Sequence, residues 1–356
     1  MYFKGDWEES QRRWEAWWEH EVIDRVVVAV KAPRDQPLPH EPVPEIGTDW
    51  RRMWTDPEYL RLKHEAIFAQ TFYGGEALPL WWINLGPGIM ATYLGVEPVF
   101  AESTVWFDQD PLIADWEEPP PVAVDEGNPW WQLTQELAQT AIEDGRDRYI
   151  VGTTDLGGPL DIVASLRGTS ALLMDLIDHP DAVRDYSRRI LEVWHQYYEL
   201  LDEQIRRVQP GSSAWLGLWC EDTWYPVQCD FSAMISPQMF AEFVLPDLEY
   251  QCHRLQLSIY HLDGPGQIPH LDLILAIPEL TGIQWVPGDG EAPVDSRKWL
   301  PIYHRIQAAG KNLVLNGVRK ENIPWLLQEL KPEGLYLSLS CETQREAEEV
   351  LQLCQL

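Results

Sequence analysis

The sequence predicts a single α/β domain, a (β/α)8 TIM barrel with an N-terminal helical extension. Three observations lead there. Apolar runs of strand length recur near residues 78, 103, 149, 215, 258, 283, 313 and 336, and helical periodicity follows most of them. Several runs end in Gly, Pro or polar tips, the places where parallel α/β folds build their sites. The signatures of an open nucleotide-binding sheet are missing, since no G-x-G-x-x-G follows an early strand and no G-x-x-x-x-G-K-[ST] occurs. Eight strands alternating with helices over roughly 280 residues suit a barrel. Residues 1–75 are then the extension and residues 76–356 the barrel, together one domain.

The opening segment, residues 7–23, places Trp14, Trp17, Trp18 and Val22 at helical spacing. A short strand follows at 26–30, then a Pro-rich loop and a second helical stretch at 56–72. From residue 77 the pattern alternates. The strand at 78–85 ends in Gly86-Pro87-Gly88, and the strand at 148–153 ends in Thr154-Asp155-Leu156-Gly157-Gly158-Pro159. A strand at 214–219 ends in Cys220-Glu221-Asp222, and Ser236-Pro237 starts the next helix. Residues 257–290 read as strand, polar tip, helix, strand, polar tip, a βαβ unit with tips His261-Leu262-Asp263-Gly264 and Pro287-Gly288-Asp289-Gly290. Strands at 312–316 and 335–340 complete the set, with Cys341 at the last tip.

Composition narrows the partners. A formal charge of −30 excludes a phosphate-backbone binder, which needs a basic face, and disfavours an anionic membrane surface. The five Cys residues (220, 229, 252, 341 and 354) form no C-x-x-C, so neither a redox motif nor a zinc ribbon is indicated. They read as free thiols in a reducing cytosol, and the N-terminus lacks the apolar run of a secretory signal. The expectation is a cytoplasmic enzyme for a small molecule, without nucleic acid or membrane, and with a homodimer allowed.

If the tips share one face, they bring together Asn84, Asp155, Glu221, Asp230, His261, Asp263, Asn316 and Cys341, with Trp219 and Trp285 as apolar walls. His261 and Asp263 are two apart, so in a strand they point the same way. Imidazole, carboxylate and thiolate are ligands that zinc accepts, and a metal so held could activate a hydroxyl or thiol. Each also has an ordinary structural reading: a hydrogen-bonded His, a buried Cys, and acids that hold loops by accepting N–H groups.

Residues 230–246, DFSAMISPQMFAEFVLP, resemble the uroporphyrinogen decarboxylase superfamily, in which an Asp-containing loop precedes a Ser-Pro-x-x-Phe/Tyr helix ending near a Pro. His261-Leu262-Asp263-Gly264 is similar to that family's His-x-Cys-Gly tip, and Cys341 stands where a later strand tip carries Cys. The resemblance covers mainly residues 210–350 and implies a TIM barrel. It is closer to the corrinoid-dependent methyltransferase branch than to the decarboxylase, whose Arg-Gln-Ala-Gly-Arg tract is absent; Trp14-Glu15-Ala16-Trp17-Trp18 stands near the N-terminus.

The resemblance implies a zinc-assisted methyltransferase that moves a methyl group between a small substrate and a separate corrinoid protein. No Asp-x-His-x-x-Gly corrinoid motif occurs in this chain. His261, Asp263 and Cys341 would hold Zn2+, with Asp263 in place of a Cys. Asp230 or Glu221 would act as base, and Asn84, Asp155, Trp219, Trp285 and Asn316 would bind substrate. The alternatives are a cofactor-free decarboxylase or lyase for a small acid, and a non-catalytic ligand-binding barrel.

Overall fold

The computed structural model describes residues 1–107 and 111–355. It is an α/β fold built on a mostly parallel central sheet. The strands that matter here are β1 (Val27–Pro33), β2 (Thr71–Gly75), β3 (Leu80–Trp82), β4 (Ile150–Gly152), β5 (Trp224–Gln228), β6 (Leu257–Asp263), β7 (Gly282–Val286), β8 (Asn312–Asn316) and β9 (Leu335–Ser340). The main ladder runs β2-β1-β9-β8-β7-β6-β5. Every pairing in it is parallel except β1 with β2. β3 and β4 form a separate parallel pair.

Alternation along these strands sorts two chemistries onto two faces. Val28, Val30, Tyr260, Leu262, Ile283, Trp285, Leu313, Leu315 and Leu337 are buried in the core on one face. The other face carries Lys31, His261, Asp263, Gln284, Asn316 and Ser338. The register fixes this second set as neighbours: one cross-strand row reads Val27, Tyr336, Val314, Gln284, His261, Gln228.

Four of the eight expected strands are not members of the ladder: those near 78 and 149 form the separate β3–β4 pair, those near 103 and 215 lie elsewhere, and β1, β2 and β5 take part instead. The run near 103 forms only a small antiparallel ladder, Val99–Phe100 with Val105–Trp106, whose Trp106 is exposed. The run at 214–219 is the turn of a hairpin that pairs Ser212–Ser213 with Trp219–Cys220. Gly217 adopts φ +76°, and its N–H donates to the Ala214 carbonyl, so the run folds back there. The strand itself is β5, ten residues later and interrupted in sequence by Pro226. Proline fits because β5 is the edge of the ladder. β1, assigned from sequence to the helical extension, is an interior strand between β2 and β9.

The N-terminal helix α1 (Trp7–Trp18) covers one end of the sheet. Trp14 stacks on Tyr336 with centroids 5.4 Å apart, and Trp18 lies 5.4 Å from Trp224. The Trp18 indole N–H donates to the Trp219 carbonyl, and the Asn312 amide donates to the Trp17 carbonyl. Tyr336, Trp224 and Asn312 all stand at strand starts, so α1 seals the N-terminal end. Truncating any of these buried indoles would cost on the order of 3–5 kcal/mol. The strand C-termini are left as the face available for chemistry.

Candidate functional site

At that face β6 delivers His261 and Asp263 side by side, as the two-residue spacing requires. Directly across, Gln284 of β7 lies opposite His261, and its Oε1 is 2.6 Å from His261 Nδ1. An oxygen partner makes Nδ1 the proton-bearing nitrogen, which leaves the Nε2 lone pair free. Asp230 arrives from the turn after β5, Asp230–Met234. One ligand atom from each of Asp230, His261 and Asp263 falls within 4.8 Å of the others, and among the described residues this is the one such group of three or more metal-capable side chains.

The Asp230 turn is held from behind. Helix α2 (Pro159–Arg167) begins after β4 with Pro159 at its first position and Asp161 in its first turn. The Asp161 carboxylate accepts the backbone N–H groups of Asp230 (3.0 Å) and Phe231 (2.7 Å). This contact depends on Gly158, where a Cβ would lie 2.2 Å from the Gln228 carbonyl oxygen and 2.6 Å from an Asp161 oxygen. On the other side Gln267 donates to the Cys229 carbonyl and accepts from the Tyr260 hydroxyl.

Acids crowd this region. Burial raises the Asp230 pKa; His261 opposes the shift and Asp263 adds to it. Burial also pushes Asp155 up to about 7, against the Gly157 N–H that its carboxylate accepts, with Asp230 adding repulsion. Asp161 is raised in the same way, first by burial and then by Asp230. Residue surface and local enclosure differ for Asp230, which is exposed as a residue yet surrounded by protein. It stands in the wall of an open cleft, a cavity of about 450 Å³ also lined by Asp161, Gln228, Phe231, Met234 and Trp106.

Of the expected site residues, the structure brings together Asp230, His261 and Asp263, with Asp155 next to Asp230. Asn316 lines a neighbouring cavity of about 350 Å³. Asn84 is half-buried and accepts the Gly86 N–H in a local turn. Four assignments need correction. Cys341 is not in the metal-capable group; it lies beyond β9 beside Lys320 and Glu346, and burial raises its thiol pKa. Glu221 and Trp219 precede β5, so they sit at the sealed end: Trp219 packs edge-on against Trp7, and Glu221 lies near Glu15 of α1. Trp285 points to the apolar face, 4.9 Å from Trp299, and is no pocket wall.

Sequence reasoning missed Gln284, Asp161 and Trp215. Gln284 had a signal, a polar residue inside an apolar strand. Asp161 had a weaker one, an acid in the first turn after a Gly-Gly-Pro tip. Trp215 reaches the site only through the hairpin, where its ring meets His261 edge-on at 5.0 Å.

Gln284→Leu keeps the side-chain bulk and removes the acceptor that fixes the imidazole. It should weaken divalent-metal affinity by about 10–100-fold, read by competition with a chromogenic chelator, with no change in the far-UV circular dichroism. Comparison with models of known protein families and with curated proteins finds no match for this chain.

Proposed function

We propose that the chain is a metal-assisted methyltransferase. In this reading Asp230, His261 and Asp263 hold a divalent ion, zinc in the first instance, and a methyl group moves between an oxygen of a small substrate and a separate corrinoid protein. The carrying observation is the convergence of the three ligand atoms within 4.8 Å. The donor set fits such an ion: one imidazole nitrogen with its other nitrogen already occupied, and two carboxylates. With no thiolate in the group, the site is harder than a His/Cys/Cys site, which favours an oxygen-bearing substrate. When bound there, the ion would supply Lewis acidity that lowers the pKa of a substrate hydroxyl.

The chain's own residues do the rest. Gln284 orients the imidazole, and Asp161 holds the Asp230 turn. Asp155, with a pKa pushed up to about 7, is the candidate to hold or pass a proton near neutral pH. This reading includes closure of the sheet into a TIM barrel, with β3 and β4 set between β1 and β5. Its support is a chain of contacts: the Glu76 N–H donates to the Val28 carbonyl of β1, the Thr153 N–H after β4 to the Ser213 carbonyl, and the Trp224 indole of β5 to the Ser212 carbonyl.

The test is an anaerobic assay with methylcobalamin and a panel of small alcohols and phenols. Cob(I)alamin should appear only with the zinc-loaded chain, and chelation should abolish it. One observation favours a second reading, a cofactor-free decarboxylase: the buried acids Asp155 and Asp161 are both pushed toward keeping a proton near neutrality. That reading requires CO2 release from a small acid, with neither cobalamin nor metal. Such release would overturn the methyltransferase proposal.

A further inference from the structure

The cavity of about 350 Å³ is lined by β1, β9, the end of β8, the segment leading into β3, and the hairpin turn at Trp215. Its lining holds one charged residue among the described residues, Lys31, in a protein whose formal charge is −30. Lys31 faces Ser340 across the β1–β9 pairing, and its stem runs beside Tyr73, the ammonium 5.9 Å from that ring's centre. It makes no ion pair with any described residue, whereas Lys4, Lys298 and Lys320 each have an acidic partner. Lys31 keeps an exposed face toward the open cavity while protein surrounds the rest of it, and that enclosure lowers its pKa with no counter-charge to oppose the shift.

The other polar groups are donors or can act as donors. Ser338 Oγ donates to Asn316 Oδ1 (2.9 Å), which fixes the amide and leaves its NH2 free. Ser340 stands beside Lys31, and the Trp215 indole N–H has no partner. Trp82 and Trp215 form apolar walls. A phosphate dianion would need more than one cation or a cluster of backbone N–H groups. A single ammonium with neutral donors and an indole wall suits a monoanion on an apolar body.

We propose that this cavity binds the carboxylate of a small organic acid, with Lys31 as its counter-ion and Asn316 as a hydrogen-bond donor. Trp215 forms a wall of the cavity and also touches His261. A bound acid would therefore lie next to the Asp230/His261/Asp263 group. A role for that acid as the substrate rests on the metal-site reading; its binding does not.

The test uses butyrate and its uncharged isostere butyramide, by calorimetry in EDTA, so that a failed metal site leaves the result intact. Butyrate should bind at least about tenfold more tightly than butyramide, the scale of one charge-assisted contact. Lys31→Met should erase the difference, and Asn316→Ala should reduce it. A second measurement needs no variant: butyrate, but not butyramide, should slow acetylation of Lys31 by acetic anhydride in the wild-type chain, read by peptide mass spectrometry. Equal affinity for the two ligands, unchanged butyrate binding in a folded Lys31→Met, or equal acetylation rates with both would overturn the proposal.

Discussion

Asp263→Asn should lower divalent-metal affinity by about 100-fold or more, at or beyond the upper end of what loss of an outer-shell partner costs. The substitution keeps size and backbone and removes one anionic donor from a group of three. The strand should tolerate it, because Asp263 is half-buried at the end of β6 and makes no ion pair with a described residue. Its charge also repels Asp230, so the variant should bring the Asp230 pKa down rather than up. Cys341→Ala should leave metal affinity unchanged, since Cys341 lies outside the group. The pair of variants separates the carboxylate-rich site from a thiolate site, and metal competition titrations on both would read the difference. If Cys341→Ala weakened binding as much as Asp263→Asn, a centre made of Asp230, His261 and Asp263 would be contradicted.

The second large effect is on stability. Glu76 is fully buried and takes a two-pronged ion pair from Arg25, at 2.6 and 2.8 Å, while also accepting the Val28 N–H at 3.0 Å. This joins the segment after β2 to the start of β1, next to Ala77 and Ala29 of the Lys31 cavity's lining. Glu76→Gln would leave the Arg25 guanidinium buried without its counter-charge. It should destabilise the fold by about 3–5 kcal/mol, the cost of breaking one side of a buried pair. Replacing both partners, as Arg25→Met with Glu76→Leu, should cost less than the single change, because the buried guanidinium goes too and Arg13, 3.6 Å from Glu76, keeps its Asp24 partner. Urea denaturation followed by circular dichroism measures both. A single-variant loss below about 1 kcal/mol would place the pair among weak surface bridges.

How far the sequence could be read depended on whether local chemistry or long-range packing set the outcome. The unit at 257–290 was legible because alternation alone places His261 and Asp263 on one face, and the mostly apolar runs at 282–286, 312–316 and 335–340 each form a strand over those residues. The runs at 103 and 214–219 misled because burial and strand pairing are different things. Leu216 and Leu218 are buried, yet Gly217 turns the chain between them. That one displacement explains two misplaced residues: with the strand moved to 224–228, Glu221 and Trp219 fall before its start rather than at its tip. Trp285 failed for a simpler reason, the two-residue period of a strand, which turns it away from Gln284. Cys341 follows from its place at a strand tip as well as from the resemblance, and no local rule reports that it lies beyond the inward-facing Ser338 and Ser340. Lys31 and Asp161 become visible only once β1 joins the sheet and α2 is seen to clamp the Asp230 turn.

The most direct test of the metal site is the zinc content of protein purified without chelator and dialysed against zinc. Plasma mass spectrometry should find about one ion per chain in the wild type and in Cys341→Ala, and close to none in His261→Ala. Less than about 0.2 ion per chain in the wild type, or a loss confined to Cys341→Ala, would contradict an Asp230/His261/Asp263 centre.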